Sequence, residues 1–310
     1  MVRYLLIRLL RAFITITLVV TFAFIVLRVS GDPAISIMGD NASPEAMAAF
    51  RKEWGLDQSI FIQYFNYVTA IFQGDFGHSM RGGGPALDLV VSRIPATVML
   101  TLPALLLKVA IGVPAGIYAA LHHDKSLDRT VMVTAVAGYT VPSFVLGLLL
   151  VQIFALWMPL LPTGGTGELS HLILPVLTLG IGGAAILARF VRSAMLEVLG
   201  QPYIRTANAK GIPWGAVVRA HALPNAAIPT VTIIGFMVGS LIAGSVVTES
   251  VFSWPGVGNL LVVSVTARDL SVVQCILLLV AATMVLSNMF VDILYGILDP
   301  RLSNANSEGR

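Results

Sequence analysis

The chain has 310 residues, of which 56% are hydrophobic and only 11% charged, and its mean hydropathy of +0.87 excludes an ordinary soluble domain. The formal net charge of +3 reads as a topology signal, and nothing in it points to nucleic acid. One cysteine, Cys275, excludes a disulfide within the chain and any cysteine cluster.

The first apolar run, about residues 5 to 29, follows a basic start. It is too long for a signal peptide, and no small-residue cleavage site follows before Gly31, so it reads as a retained anchor. The segment Gly31 to Arg93 is too long for a simple turn and carries helix signals. Ser43, Pro44 and Glu45 predict an N-cap, a first-turn proline and a dipole-compatible acid, with a stop at Gly55 after Trp54. A second helix is predicted from about Asp57 to Phe72, with Ile60, Phe61, Tyr64, Tyr67, Val68 and Ile71 along one side. The two would make a small external cap, followed by a glycine-rich turn from Gly74 to Gly84. Seven acids here (Asp32, Asp40, Glu45, Glu53, Asp57, Asp75, Asp88) face four basic residues. That mildly acidic surface is either a solvated loop or a platform for a delivery protein or pathway lid.

Five more apolar runs long enough to cross about 30 Å of hydrocarbon lie at about 95 to 121, 130 to 158, 172 to 191, 226 to 249 and 271 to 298, making six spans. Lys108 sits about a dozen residues from either end of the second, roughly 18 to 20 Å at 1.5 Å per residue, beyond easy reach of the headgroups. An ionisable group at that depth costs about 2.5 to 3.5 kcal/mol, so Lys108 should line a pathway or make a structural polar contact. Tyr139, Pro142, Ser143 and Phe144 form a polar and aromatic break in the third run, where Pro142 implies a gating kink or simple packing. The fourth run is interrupted by Pro175, Gly180, Gly182 and Gly183 and is expected to be kinked or partly re-entrant. Glycines near Gly182 and Gly244 are expected to permit tight helix packing. Glu249 and Asp292, near span ends, are expected at the membrane interface.

With the N-terminus inside, twelve Lys and Arg fall on the cytoplasmic side, Arg3, Lys125, Arg189, Arg192, Arg205, Lys210, Arg219, Arg301 and Arg310 among them, and six on the other. Both termini are therefore expected in the cytoplasm. The histidines, His122 with His123 and the scattered His78, His171 and His221, form no metal-ligand pattern.

The segment Arg192 to Leu223 reads as a cytoplasmic loop of about 30 residues. Within it, Pro202 opens and Gly211 closes a helix of about two turns. Helices below roughly 12 residues are marginal in water, so this one is expected to be held by a partner's surface, with small Thr206 and Ala207 allowing close approach in a groove. The expected partner is a soluble motor. No G-x-x-x-x-G-K-[ST] phosphate loop is present, since only Lys125 precedes a serine and Asp124 stands before it.

Arg205, Thr206 and Ala207, Gly211 four residues later, and the closing Leu223 and Pro224 resemble the coupling loop of ABC-transporter permeases. That pattern opens with Glu-Ala-Ala; Arg205 in place of Glu is similar to the branch that imports dipeptides, oligopeptides, glutathione and nickel. The same branch is resembled by Gly31-Asp32-Pro33, Gly55-Leu56-Asp57-Gln58, Gly74-Asp75-Phe76-Gly77, the stretch Phe252 to Gly258 with Trp254 and Pro255, and Asp299-Pro300. The resemblance implies an all-α polytopic membrane protein of the type I ABC importer permease fold with six transmembrane helices. Its expected parts are an N-terminal helix (1–30), an external segment (31–93), a five-helix core with coupling loop 192–224 (94–299) and a cytoplasmic tail (300–310). Tyr203, Arg205, Thr206, Ala207, Lys210, Gly211, Leu223 and Pro224 would engage the ATPases, while Lys108, Tyr139, Ser143 and Phe144 are candidates for the pathway.

By the same resemblance the chain is a non-catalytic transport subunit in a bacterial inner membrane, without a metal or cofactor of its own. Partners would be a homologous second permease, two ABC ATPases that bind ATP and Mg, an extracytoplasmic binding protein and membrane lipid. Peptide is the leading substrate, with glutathione, nickel chelate, opine or sugar conjugate within the same class. A secondary transporter or channel would leave the coupling loop without a purpose, and Lys108 alone is little from which to build a proton relay. A membrane-embedded enzyme would need a base for Ser240 or Ser245, and no histidine shares their apolar runs.

Overall fold

The computed structural model describes residues 2–29, 31–39 and 41–298, with side chains described for 6–29, 31–39 and 41–291. The expectations placed on Asp40, Asp299, Pro300, Arg301, Arg310 and the 300–310 tail lie outside the described residues, as do those on the side chains of Arg3 and Asp292. The described chain is mainly helical, its described residues contain no strand beyond a single bridge between His78 and Pro85, and it forms two compact units, Met1–Thr97 with Pro255–Val285 and Val98–Trp254 with Leu286–Arg310.

In the first unit, α1 (Val2–Val29) is followed by three short helices, α2 (Pro33–Met38), α3 (Pro44–Glu53) and α4 (Ile60–Phe72). Asp32 caps α2 through the Ala34 N–H and also accepts from Arg51 of α3, fastening the two helices together. Ser43 caps α3 at Ala46, as its Ser-Pro-Glu start predicts. The next helix begins at Ile60 rather than Asp57, because Ser59 supplies the cap, accepting from the Ile62 N–H. Only part of its expected apolar side is covered: Tyr64 and Tyr67 pack on the buried Phe24 of α1, while Phe61 remains exposed. The Ser79 hydroxyl donates to buried Asp269 at 2.5 Å, joining the glycine-rich turn to the start of α14 (Leu270–Leu298). The Val257 N–H of α13 (Val257–Thr266) donates to Thr97 of α5 (Ala86–Leu121).

The second unit holds the remainder of α5, the helices that follow it as far as Trp254, and the part of α14 from Leu286. Among the described residues, five unbroken helices are long and apolar enough to cross a membrane: Leu6–Val29, Ala86–Leu121, Ser170–Leu199, Trp214–Gly239 and Leu270–Val291. A sixth crossing comes from α6 (Ser126–Thr140) and α7 (Ser143–Val151, continued to Trp157 by a π-helical stretch), which meet at 94°. Val141 precedes Pro142 and is extended, with ψ 120°, because the proline ring excludes the helical conformation from the residue before it.

The break expected in the fourth run is therefore found in the third. The fourth is one continuous helix, α8 (Ser170–Leu199). Pro175 lies near its start, where a missing N–H costs one bond at an end that frays anyway. Its glycines are seats for neighbouring side chains rather than breaks: a Cβ on Gly180 would come 2.5 Å from Leu107, and one on Gly183 equally close to Lys108.

The backbones of α5 and α8 come close together. A Cβ on Gly112 would stand 2.8 Å from the Ala184 carbonyl oxygen, and one on Gly116 2.5 Å from that of Ala188. Two glycines four apart thus let the backbones meet, the arrangement membrane helices use where apolar burial gives little drive. Gly182 makes only ordinary contact and Gly244 none within 4 Å, so Gly244 is no packing glycine.

The fifth span is displaced toward the N-terminus. It runs from α10 (Trp214–Val217) through a π turn at Val218–Ala222 into α11 (Leu223–Gly239), and stops well before Glu249. The wide turn follows from Pro224, whose ring would strike the Ala220 carbonyl in an ordinary α turn; the Leu223 N–H reaches Val218 instead. A 3-10 turn at Ala243–Ser245 and α12 (Val246–Val251) then bring Glu249 into the interior at zero exposure, contrary to its expected interfacial place.

Candidate coupling helix and pathway cavity

With α8 ending at Leu199 and α10 beginning at Trp214, the expected 30-residue loop is mostly helix, and its centre is α9 (Pro202–Ala209). Gln201 is extended and Pro202 takes the first helical position, which needs no N–H donor. At the other end the Gly211 N–H donates to Asn208 and the Ile212 N–H to Ala207, with Gly211 at φ +78°. This is the Schellman closure, for which glycine is suited because it lacks the Cβ that penalises left-handed backbone.

The faces of α9 divide sharply. Ile204 and Ala207 are buried, 1% and 7% exposed, in a cluster with Leu187, Val191, Ala194 and Met195 of α8, Val217 of α10 and Ala226 of α11. Tyr203, Arg205, Thr206 and Lys210 are exposed, as is Trp214 just beyond. One face of the short helix is thus held by its own chain, and Ala207 faces inward, unavailable to any groove. Burying Ile204 contributes about 2 to 3 kcal/mol, enough to offset much of the weakness of an eight-residue helix. Arg205 donates to the Gly200 carbonyl, and the Thr206 hydroxyl to that of Pro202. Leu223 packs at the edge of the cluster, while Pro224 is exposed.

Lys108 faces a cavity of about 30 Å³ lined by Thr101, Ala104, Leu179, Ser240, Leu241, Gly244 and Ser245. That volume admits a water or two and no peptide, so the space beside Lys108 is closed in this conformation. Ser245 extends the polar lining: its hydroxyl bonds to the buried Glu249 carboxylate at 2.8 Å. Tyr139, Ser143 and Phe144 do not line this cavity; all three are exposed at the α6–α7 bend, where the Arg189 guanidinium lies 4.9 Å from the centre of the Tyr139 ring. A larger cavity of about 340 Å³ belongs to the first unit, between Ser36, Ile37, Arg81, Val262, Val263, Thr266 and Ala267. It is open and shallow, and none of the expected pathway residues lines it.

Sequence reasoning missed the ion pair of Asp128 and Arg192. Arg192 donates from two nitrogens to the two oxygens of Asp128, both at 2.6 Å, and Asp128 also accepts from the Asp124 N–H. The usable signal was an acid in the first turn of an apolar helix and an arginine at a buried spacing on another. Trp214 and Ile204 were also missed; an exposed tryptophan after Pro213 and an isoleucine among polar neighbours were the available hints.

Two family models match the chain: the binding-protein-dependent transport system inner membrane component over residues 112–304, and the corresponding N-terminal membrane component over residues 1–101. The chain is 42% identical over 303 residues to the glutathione transport system permease protein GsiC of Salmonella typhi, covering 97% of this chain and 99% of that one. The protein of the same name from Escherichia coli K12 is 41% identical over the same coverage. Among solved structures, an inward-facing form of the MetNI methionine ABC transporter aligns with a TM-score of 0.59 at 20% identity, covering 68% of this chain and 96% of that one. That likeness supports the fold alone.

Proposed function

The chain belongs to the family of binding-protein-dependent transport system inner membrane components, as the permease subunit of an ABC importer, and we propose that it passes short peptides of the glutathione kind under force applied at α9. The observation that carries the coupling role is the two-faced packing of α9: Ile204 and Ala207 in the core, Tyr203, Arg205, Thr206 and Lys210 outside. A basic face flanked by Tyr203 and Trp214 suits a groove with acidic and apolar walls on an ATPase subunit. Two such ATPases would bind ATP and Mg and do the hydrolysis; this chain would respond mechanically.

Displacement of α9 presses on α8 through Val191 and Met195, and Arg192 hands the motion to α6 through Asp128. The bent span and the Lys108 cavity belong to the same unit, so a two-state bundle can open that space alternately to either side. Lys108 would meet a peptide carboxylate once the cavity opens. Six spans with few polar residues make a poor conduit alone, so a homologous second permease completes the pathway and an external binding protein delivers the ligand. In this topology both termini lie in the cytoplasm, residues 31–93 belong to the external side of the membrane, and the core of 94–299 contains the coupling segment 192–224.

The test is reconstitution of the complete importer in nanodiscs with its binding protein, measuring ATP hydrolysis against glutathione and a series of di- and tripeptides. Stimulation by loaded binding protein, lost in Arg205→Glu with assembly intact, is the expected result. Nucleotide hydrolysis by this chain alone, or undiminished stimulation in Arg205→Glu, would overturn the reading.

A further inference from the structure

We propose that α4 is embedded in the bilayer at the Val29 end of the first span, its phenylalanine edge covered by lipid acyl chains. The helix has 13 residues, IFIQYFNYVTAIF, none of them charged. It is fastened to α1 at a definite depth. The Thr21 hydroxyl donates to the Thr17 carbonyl, so Tyr64 donates to Thr21, at 2.6 Å. The ring of Phe24, 1% exposed, sits between Tyr64 and Tyr67 with centroids 5.3 and 5.8 Å away.

Thr21 is eight residues inside the end of α1 at Val29, about 12 Å along the helix. The apolar stretch Leu6–Val29 is 24 residues, about 36 Å, against a hydrocarbon core of about 30 Å. Centred in the bilayer, it puts Thr21 roughly 9 Å below the hydrocarbon edge, within the depth at which interfacial helices lie. Arg28, its guanidinium 5.3 Å from the Phe24 ring centre, stands nearer the headgroups.

The side of α4 turned from α1 carries Phe61, Phe65 and Phe72, which are 86%, 68% and 76% exposed. They fall at helical spacing on one stripe, and α1 carries exposed apolar residues of its own at Leu18, Phe22 and Ile25. Water on such a face at this depth would cost several kcal/mol of apolar exposure. Most polar groups of α4 are bonded within the protein: the Gln63 amide N–H groups donate to the Leu56 and Gln58 carbonyls, Asn66 to the Gln58 side chain, and Thr69 back to its own helix, while Gln63 Oε1 alone among them is buried without a partner. Ser59 caps the first turn, and the Gln73, Gly74 and Asp75 N–H groups close the last. Charges recur only beyond the ends, at Asp57 and Asp75.

The experiment places nitroxides at Phe61→Cys, Phe65→Cys and Phe72→Cys in a Cys275→Ala background. The complete importer is set in nanodiscs of phosphatidylethanolamine and phosphatidylglycerol, with Glu53→Cys as the aqueous control. Collisions with oxygen should exceed those with a water-soluble nickel chelate severalfold at the three phenylalanine positions, and the ratio should invert at the control. Nickel access equal to the control places the face in water, and low access to both reagents places it against a protein partner; either result overturns the proposal. Binding-protein-stimulated ATP hydrolysis certifies each labelled complex, and if Phe65→Cys does not assemble, the two outer positions decide.

Discussion

Arg192 grips Asp128 with two charge-assisted hydrogen bonds of 2.6 Å across 64 residues, fixing α6 to the same stretch of α8 on which α9 rests. Asp128 is 4% exposed and Arg192 23%, so solvent does little to screen the pair. It joins the helix on which α9 packs to the span that bends.

Removing either partner strands a buried charge, which costs about 3 to 5 kcal/mol where burial is complete. The lower end applies here because Arg192 keeps some solvent. Asp128→Asn and Arg192→Met should each lower the unfolding temperature of the purified importer by several degrees, and the exchange Asp128→Arg with Arg192→Asp should recover part of the loss.

Gly211 tests the helix closure by backbone alone, since φ is +78° and nothing lies within 4 Å of where a Cβ would stand. Left-handed backbone costs an L-residue about 1 to 2 kcal/mol, least for asparagine. Gly211→Asn should keep most transport, and Gly211→Val should lose ATP-coupled uptake while still inserting in the membrane, a contrast read by vesicle uptake and membrane fractionation.

The two faces of α9 predict opposite phenotypes. Ile204→Ala removes buried side-chain volume and should destabilise the chain by about 2 to 4 kcal/mol, visible as a lower melting temperature. Arg205→Glu alters only an exposed position and should leave melting and assembly unchanged while abolishing the stimulation of ATP hydrolysis by loaded binding protein.

Two glycines separate structural from functional strain. Gly116→Ala sets a methyl 2.5 Å from a backbone oxygen that cannot yield, and should destabilise by about 1 to 3 kcal/mol. At Gly183 the obstacle is the flexible stem of Lys108, so Gly183→Ala should shift that ammonium and change transport with little effect on melting. Lys108→Met should lower uptake of a carboxylate-bearing peptide in the same assay.

Local signals carried far where the physics is local. Ser43 before Pro44, Pro202 before a two-turn pattern and Gly211 after it each act within four residues, and the helices they delimit stand close to those expected. The fourth span misled because Pro175 and three glycines weaken a helix in isolation, yet Leu107 and Lys108 of another helix fill the space the glycines leave. Glu249 misled in the opposite direction, since distance from a span end was counted along a helix that breaks at Ser240.

Composition and order of residues alone determined that this chain lies in a membrane, where its long apolar helices fall, and where the short helix α9 begins and ends, because chain length against hydrocarbon thickness and end-capping are sequence-local quantities. Only the tertiary structure decided which side of α9 is free, that Arg192 belongs to Asp128, that Lys108 shares a cavity with Ser240 and Ser245, and that Tyr64 seats α4 against the first span. Each joins residues from separate helices, and their meeting depends on crossings set by small residues such as Gly112 and Gly116, whose partners are far away in the chain.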